Sequence, residues 1–475
     1  MNLPDLAVDN LIVLGSFGAN RAMEAEIRRT TPRVVPGFRV PKPARLDDQT
    51  LAFPFDPAFA WSCLRYLRTP SRLLWELYAT TATRLEPLYD ELVDAVAQDP
   101  RPIWPSHARI SVYVRETHAF PAGPMQLRGT VKNALIDGAR ARGVTLELDP
   151  DAPDVVVTVR GTPPRIAIDL GGESLVPRGW RVDHGEAPLA ENLAAQLLML
   201  AEYDPRREVL LDPLAGSGTF PIEAAFVAAG APRRARVARP VSPVFAGLDD
   251  THAPLFAGPH KPILGLEPST DVRHALQNLA RANVPTPVHV SSGDFRTLDP
   301  AGLAAHLGRV MPEADPDVSR GLIVANPPYG ERIGRGDDLT VVYRDLAALL
   351  GRMGEGWRAA FIVANPDFEP AFGLEPVLRK PVSNGGLRGY FVVYAQAGAR
   401  PWRNGRDARR DGFQPRGGDG YGPRETGPQP RGGYDRGGGY DRGGGYHRDA
   451  VPGGERRFGP GDGRGAPSGR GPRRR

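Results

Sequence analysis

Cysteine is almost absent: Cys63 stands alone in 475 residues. The chain therefore forms no internal disulfide, and a zinc site built on cysteine thiolates is excluded. Long apolar runs are missing too. No stretch approaches the roughly 20 residues that a membrane-spanning helix needs, and Met1-Asn-Leu-Pro-Asp-Leu6 lacks the pattern of a signal peptide. Neither a membrane partner nor a metal is expected, and the expected compartment is the cytoplasm. Net charge is also small, +5, but unevenly placed. From Pro401 onward 17 arginines face 9 acids, a surplus of +8, which leaves −3 on the first 400 residues. The basic character belongs to the tail and does not argue that the body binds nucleic acid.

That tail is short of aliphatic residues. Arg, Gly, Pro, Tyr and Asp dominate, and Asp435-Arg-Gly-Gly-Gly-Tyr440 recurs as Asp441–Tyr446. No core can form, so residues 399–475 read as a disordered Arg/Gly-rich segment. Tyr434, Tyr440, Tyr446 and Phe458 between Arg-Gly-Gly elements suit loose, non-specific RNA contact by charge and stacking. A solubilising tail would have the same composition.

The first 400 residues carry the core. Leu11–Leu14 and Leu51–Phe55 read as strands and Ala19–Arg29 as a helix, a small α+β domain over 1–65. A second α+β unit, 66–172, contains strands at Ser71–Tyr78, Arg109–Arg115, Asp154–Arg160 and Pro164–Leu170, with helices at Leu85–Ala97 and Thr130–Arg142. Arg128 and Lys132 stand on or beside the second helix, either as RNA contacts or as an ordinary solvated face. Arg178-Gly-Trp-Arg181 is a polar-aromatic connector. Its two arginines are further candidate RNA contacts, or they anchor one domain on the next. From 208 to 396 strands alternate with helices, which predicts a doubly wound α/β sheet within a domain spanning 173–398.

Two loops of that domain carry chemistry. Val209–Leu211 is a buried strand closed by Asp212; Gly216 and Gly218 make a tight turn, and a helix follows at Phe220–Ala229. The spacing is neither that of a dinucleotide fingerprint nor that of a phosphate-binding P-loop. Two later strands also end on acids, Glu267 and Asp294. Acids at strand ends beside a glycine loop suit a nucleoside-bearing ligand: Glu267 can accept from both ribose hydroxyls and Asp294 from an adenine amine. The second loop is Asn326-Pro-Pro-Tyr329, after the apolar strand Leu322–Ala325. Two prolines end the sheet ladder and stiffen the loop. The Asn326 side-chain oxygen and the Pro327 carbonyl can accept both hydrogens of one amino group and turn its lone pair outward, while Tyr329 offers a stacking face. Such a site would orient an exocyclic base amine, a poor nucleophile because its lone pair is delocalised into the ring.

Asp212-Pro-Leu-Ala-Gly-Ser-Gly-Thr219 and Asn326-Pro-Pro-Tyr-Gly-Glu-Arg332 together resemble the class I S-adenosylmethionine-dependent RNA methyltransferases fused to a THUMP domain. Leu127–Asn133, Asp151–Asp154, Ile168–Leu170, Arg178–Arg181 and Ala187–Glu191 extend the resemblance over roughly residues 65–396. It is greatest to the guanine-N2 methyltransferases of bacterial 23S ribosomal RNA. The resemblance implies a Rossmann-like methyltransferase domain preceded by ferredoxin-like and THUMP domains, with S-adenosyl-L-methionine as cofactor. It implies that Asp212, Pro213, Gly216, Ser217, Gly218 and Thr219 line the methionine and ribose end of that cofactor, Glu267 its ribose and Asp294 its adenine. Asn326 would touch both cofactor and substrate, and Asn326, Pro327, Pro328 and Tyr329 would hold the target amine. The implied partner is 23S ribosomal RNA or a ribosomal precursor, with RNA contacts at Arg128, Lys132, Arg178 and Arg181. Transfer RNA guanine N2, DNA adenine N6, or a non-catalytic ribosome-assembly role are the alternatives. Ala215 and Glu267 depart from the family pattern, which often has Cys or Phe and usually Asp there, and the 231–260 insertion lacks the family's aromatic pattern.

Overall fold

A computed structural model describes residues 6–396 apart from 182–188, 234–238, 270, 330–338 and 385–386. The Arg/Gly-rich tail lies outside the described residues. Two sheets organise the rest.

The first sheet is built from β1 (Ala7–Leu14), α1 (Asn20–Val34), β2 (Ala44–Arg45), β3 (Thr50–Pro54), α2 (Pro57–Tyr66), β4 (Arg72–Ala79), α3 (Leu85–Gln98), β5 (His107–Arg115), α4 (Pro124–Ala141), β6 (Thr145–Leu148), β7 (Val155–Arg160) and β8 (Arg165–Asp169). Its eight strands run β2-β3-β1-β4-β8-β7-β5-β6. The alternation seen in the sequence becomes a choice of face. Leu11 and Val13 of β1 enter the main core with α1 to α4, while Ile12 and Leu14 pack with Leu74 and Ala167 on the other side. The boundary expected at 65/66 does not divide this sheet: β1 pairs antiparallel with β4, Leu11 opposite Trp75.

The second sheet follows α5 (Glu191–Leu200). It comprises β9 (Val209–Asp212), α6 (Thr219–Ala229), β10 (Ile263–Glu267), α7 (Arg273–Ala282), β11 (Val288–Ser292), α8 (Pro300–Val310), β12 (Gly321–Ala325), α9 (Leu339–Met353), β13 (Trp357–Val363), α10 (Phe368–Phe372), β14 (Leu378–Asn384) and β15 (Leu387–Ala395). Its seven strands run β11-β10-β9-β12-β13-β15-β14. The first five are parallel, and β15 runs antiparallel to both neighbours. This is the doubly wound α/β architecture that the alternation of elements predicts. Leu210, Leu322 and Val324 face α5 and α6, while Val209, Leu211 and Ile323 face α8 and α9. Apolar residues on both faces explain why these strands read as unbroken hydrophobic runs.

Buried ionic groups tie the two sheets' surroundings together. Arg68, just after α2, pairs through two hydrogen bonds of 2.8 and 2.9 Å with Glu223 of α6. The described part of the 231–260 insertion works in the same direction. Phe245 enters the core of the first sheet, edge-on to Trp75, and the Asp249 carbonyl accepts from Trp61 Nε1 at 2.8 Å and from Arg65 Nη1 at 2.7 Å. The excursion is a latch across α2.

Candidate functional site

The chain winds outward from β9 through β10 to β11, then returns to place β12 on the other side of β9. In an open α/β sheet the strand ends at such a reversal diverge and leave a crevice. β9 and β12 are parallel neighbours, with Leu210 opposite Leu322 and Leu211 opposite Ile323. Asp212 therefore ends β9 and Asn326 directly follows the adjacent β12; such neighbouring strands lie about 4.8 Å apart, and both loops leave the same edge. β10 adds Glu267 at that edge, Gly265 lying opposite Asp212.

The glycine loop is held from three sides. Gly216 (φ +51°) and Gly218 (φ +79°) occupy the left-handed region that glycine tolerates. The Gly216 N–H donates to Glu267 Oε2 at 2.8 Å, which fastens the loop to the end of β10. Asn278 Nδ2 of α7 donates to the Ser217 carbonyl at 3.0 Å. Arg181 supplies the third hold: Nη1 reaches Ser217 Oγ at 3.1 Å, Nη2 reaches Thr219 Oγ1 at 3.0 Å, and Nε pairs with Glu191 at 3.1 Å. Ala215 is small for a reason, since its methyl lies against Gly265, where any added Cβ would come within 3.0 Å of it.

Asp212 is buried and accepts the Leu214 N–H at 3.1 Å. Among the described residues it makes no ion pair. Burial, reinforced by the Glu267 charge, pushes its carboxyl well above the usual carboxylate range. A buried acid without a cation, beside a glycine turn whose Gly216 has no neighbour closer than 4.0 Å to a would-be Cβ, fits a ligand that carries positive charge and hydroxyls. Pro213 leads into that turn. Asp294 differs. It stands two residues beyond β11, is half exposed, and caps a short turn by accepting the Arg296 N–H at 2.9 Å.

In the second loop the Tyr329 hydroxyl donates to Asn326 Oδ1. Burial pushes the Tyr329 phenol up, so it stays protonated and remains a donor. Pro327 is buried. Two residues that the sequence reading did not assign brace the loop. Tyr343 of α9 donates to the Pro328 carbonyl at 2.6 Å, its own phenol pushed up to about 12 by burial. Asn365, after β13, donates to the Tyr329 carbonyl at 3.4 Å. Neither residue carries a local sequence signal for a hydrogen bond to a loop that distant in the chain.

The candidate RNA contacts divide. Arg128 and Lys132 lie partly exposed on α4, one turn apart. Arg178 and Arg181 correct the expectation that they face RNA. Only about 5% of the Arg178 side chain is exposed, and its guanidinium donates to the Leu175 and Arg68 carbonyls; Arg181, equally enclosed, is spent on the glycine loop. The 178–181 connector is an anchor.

No helix among the described residues is long and apolar enough to cross a membrane, and no cluster of potential metal ligands occurs among them.

Known proteins resemble the chain. The ribosomal RNA large subunit methyltransferase K/L of Allochromatium vinosum is 34% identical over 269 residues, 54% of this chain and 35% of that protein. The protein of the same name from Chromohalobacter salexigens is 31% identical over 329 residues, 63% of this chain and 42% of that protein. The chain thus spans less than half the length of these relatives. Among solved structures, SMU.472 in complex with SAH superposes with a TM-score of 0.62 at 18% identity, over 83% of this chain and 100% of that one. TrmN from Thermus thermophilus superposes at 0.55 and 21% identity, over 82% and 100%. At such identities the likeness is one of fold. Residues 178–392 match the family model UPF0020, described as RMKL-like, methyltransferase domain.

Proposed function

We propose that the chain transfers a methyl group from S-adenosyl-L-methionine to the N2 amine of a guanine in 23S ribosomal RNA or a ribosomal precursor. The observation that carries this reading is the adjacency of β9 and β12, which sends two loops more than a hundred residues apart in sequence from one edge of the sheet. The names of the curated relatives support the RNA substrate, and the SAH held by SMU.472 supports the cofactor.

When bound, the cofactor supplies a methyl group on a positively charged sulfonium. The buried Asp212 favours that positive charge and the ammonium beside it. Glu267 keeps lone pairs for ribose hydroxyls after receiving the Gly216 N–H, and Asp294 is left for the adenine. Asn326 and the Pro327 carbonyl accept the hydrogens of the target amine and stabilise the charge it gains as the N–C bond forms. The Tyr329 hydroxyl must share or leave the Asn326 oxygen at that point. The methylated amine is acidic enough to lose its proton without a strong base. Within the first sheet, 66–172 act as a THUMP domain that presents RNA, through Arg128 and Lys132, and the Arg/Gly-rich tail adds non-specific contacts.

Arg181 separates this account from one in which the connector binds RNA. Arg181→Ala is expected to weaken S-adenosylmethionine binding by about tenfold or more, because two hydrogen bonds positioning the loop, to Ser217 and Thr219, are lost, and to leave RNA affinity within about twofold. Calorimetry with each ligand checks this. The activity itself is tested by incubating the chain with methyl-labelled cofactor and, separately, 23S ribosomal RNA, transfer RNA and DNA, then identifying the labelled nucleoside by mass spectrometry. N2-methylguanosine from 23S RNA is expected. Label in DNA adenine, in transfer RNA alone, at another guanine atom, or nowhere would overturn the assignment.

A further inference from the structure

Outside the catalytic edge, the junction between the two sheets encloses a cavity of about 260 Å³. Its walls include Arg68, Arg178, Arg233, Arg281, Ser174 and Trp180. One acid, Glu173, joins them, and it is exposed. The buried charges around this cavity do not balance locally. Glu223 lies 2.8 Å from Arg68 and 3.5 Å from Arg178. Glu26 is spent on neutral donors: the N–H groups of Arg68 and Thr69 and the Thr69 hydroxyl. Arg233 makes no ion pair among the described residues. Its Nε and Nη1 donate to the Leu67 and Leu175 carbonyls, and its Nη2 is buried without a partner among the described residues.

The unpartnered groups all have one sense. Arg233 is 6% exposed and Trp180 4% exposed; among the described residues Arg233 Nη2 and Trp180 Nε1 are buried donors with nothing to donate to. Leaving such groups unmade is costly, and for a guanidinium more so. The Ser174 oxygen accepts the Val176 N–H at 3.3 Å, which leaves the hydroxyl proton to donate. Arg281, exposed at the end of α7, adds a further positive charge at the rim. Burial and the neighbouring Arg178 and Arg68 charges push the Arg233 guanidinium well below its usual range, as expected for a cation short of an anion.

We propose that this cavity is a phosphate-binding site, in which Arg233 and Trp180 donate to one oxyanion while Ser174 and Arg281 close over it. A tetrahedral anion supplies several acceptors to converging donors, and guanidinium groups match its geometry. Inorganic phosphate and an RNA phosphodiester share this chemistry. The site is separate from methyl transfer and stands or falls without it.

The test is calorimetric titration of the full chain with inorganic phosphate at constant ionic strength, with acetate as control. One phosphate per chain is expected, at a Kd of about 1 mM or tighter. Arg281→Glu changes an exposed side chain and should fold; it is expected to weaken phosphate binding at least about tenfold. Arg233→Gln is expected to abolish it, with circular dichroism reporting whether that variant folds. If an RNA fragment displaces the phosphate, the site takes the RNA backbone; if phosphate binds equally well with RNA present, it takes free phosphate. Either result supports the site. Absence of saturable binding, equal binding of acetate, or unchanged affinity in Arg281→Glu would overturn it and leave a cavity filled by water.

Discussion

Asn326→Ala is expected to lower the methyl-transfer rate by about a thousandfold at saturating cofactor, with S-adenosylmethionine affinity within about threefold of the parent. The asymmetry follows from where Asn326 sits. It lies one residue past β12, and its side-chain oxygen already accepts a hydrogen bond from the Tyr329 hydroxyl. The strand and the two prolines remain in the variant, and so does the brace from Tyr343 to Pro328. The glycine loop is held by Glu267, Asn278 and Arg181, none of which is hydrogen-bonded to Asn326 among the described residues. What disappears is an acceptor whose interaction with the amine strengthens as that nitrogen becomes positive, so the loss falls on the transition state. Single-turnover rates and calorimetry check the two halves separately. A variant that turns over normally at saturation but binds cofactor poorly would move Asn326 into the cofactor's own pocket.

Asp212→Asn is expected to act in opposite directions on stability and on binding. The Asn oxygen can keep the bond from the Leu214 N–H. The change removes a buried carboxyl that burial and Glu267 push well above the usual range. A group whose folded pKa is raised holds its proton more tightly in the native state, so its contribution is fully present at acid pH and falls as pH rises through the folded value. Without ligand, parent and variant should therefore be similarly stable near the unfolded pKa, about 4. The variant should become more stable toward neutrality, by about 1–3 kcal/mol. Cofactor binding should weaken by about ten- to a hundredfold, because a neutral amide cannot answer a positive ligand. In the parent the ligand's charge favours the ionised carboxyl, so binding should release a proton and tighten with rising pH; in the variant both effects should vanish. Urea unfolding across pH, and calorimetry in buffers of different ionisation enthalpy, measure these quantities. A variant destabilised at neutral pH would mean that Asp212 is ionised and paired in the ligand-free chain.

How much of this was legible beforehand depends on what each residue reports locally. β9, β10 and β12 were readable because strands buried on both faces are continuous apolar runs flanked by turn residues, and the acids at two of their ends fell where expected. α2 was not readable. Phe59 to Tyr66 are buried on every side, so the helix has no polar stripe and no period to detect. β14 contains Pro381, which argues against a strand; the sheet accommodates it at its edge, where β15 is its single partner. α8 buries just Leu303 and Leu307, too few for a pattern, although Asp299-Pro300 at its start is a capping signal that could have been used. The site residues divide by the same rule. The glycines and the Asn-Pro-Pro-Tyr loop are marked by backbone demands that sequence displays. Arg178 and Arg181 looked like exposed cations because their partners, Glu223, Glu191, Ser217 and Thr219, lie elsewhere in the chain and meet them only on folding.

The central claim is that one crevice, at the ends of β9, β10 and β12, holds both the methyl donor and the amine. A crystal structure of the chain with S-adenosylhomocysteine tests it most directly. The account predicts the ribose hydroxyls on Glu267, the amino-acid end against Gly216 and Asp212, and the thioether sulfur facing Asn326. Homocysteine density in any other cavity, or a sulfur turned away from Asn326 with protein between them, would contradict it.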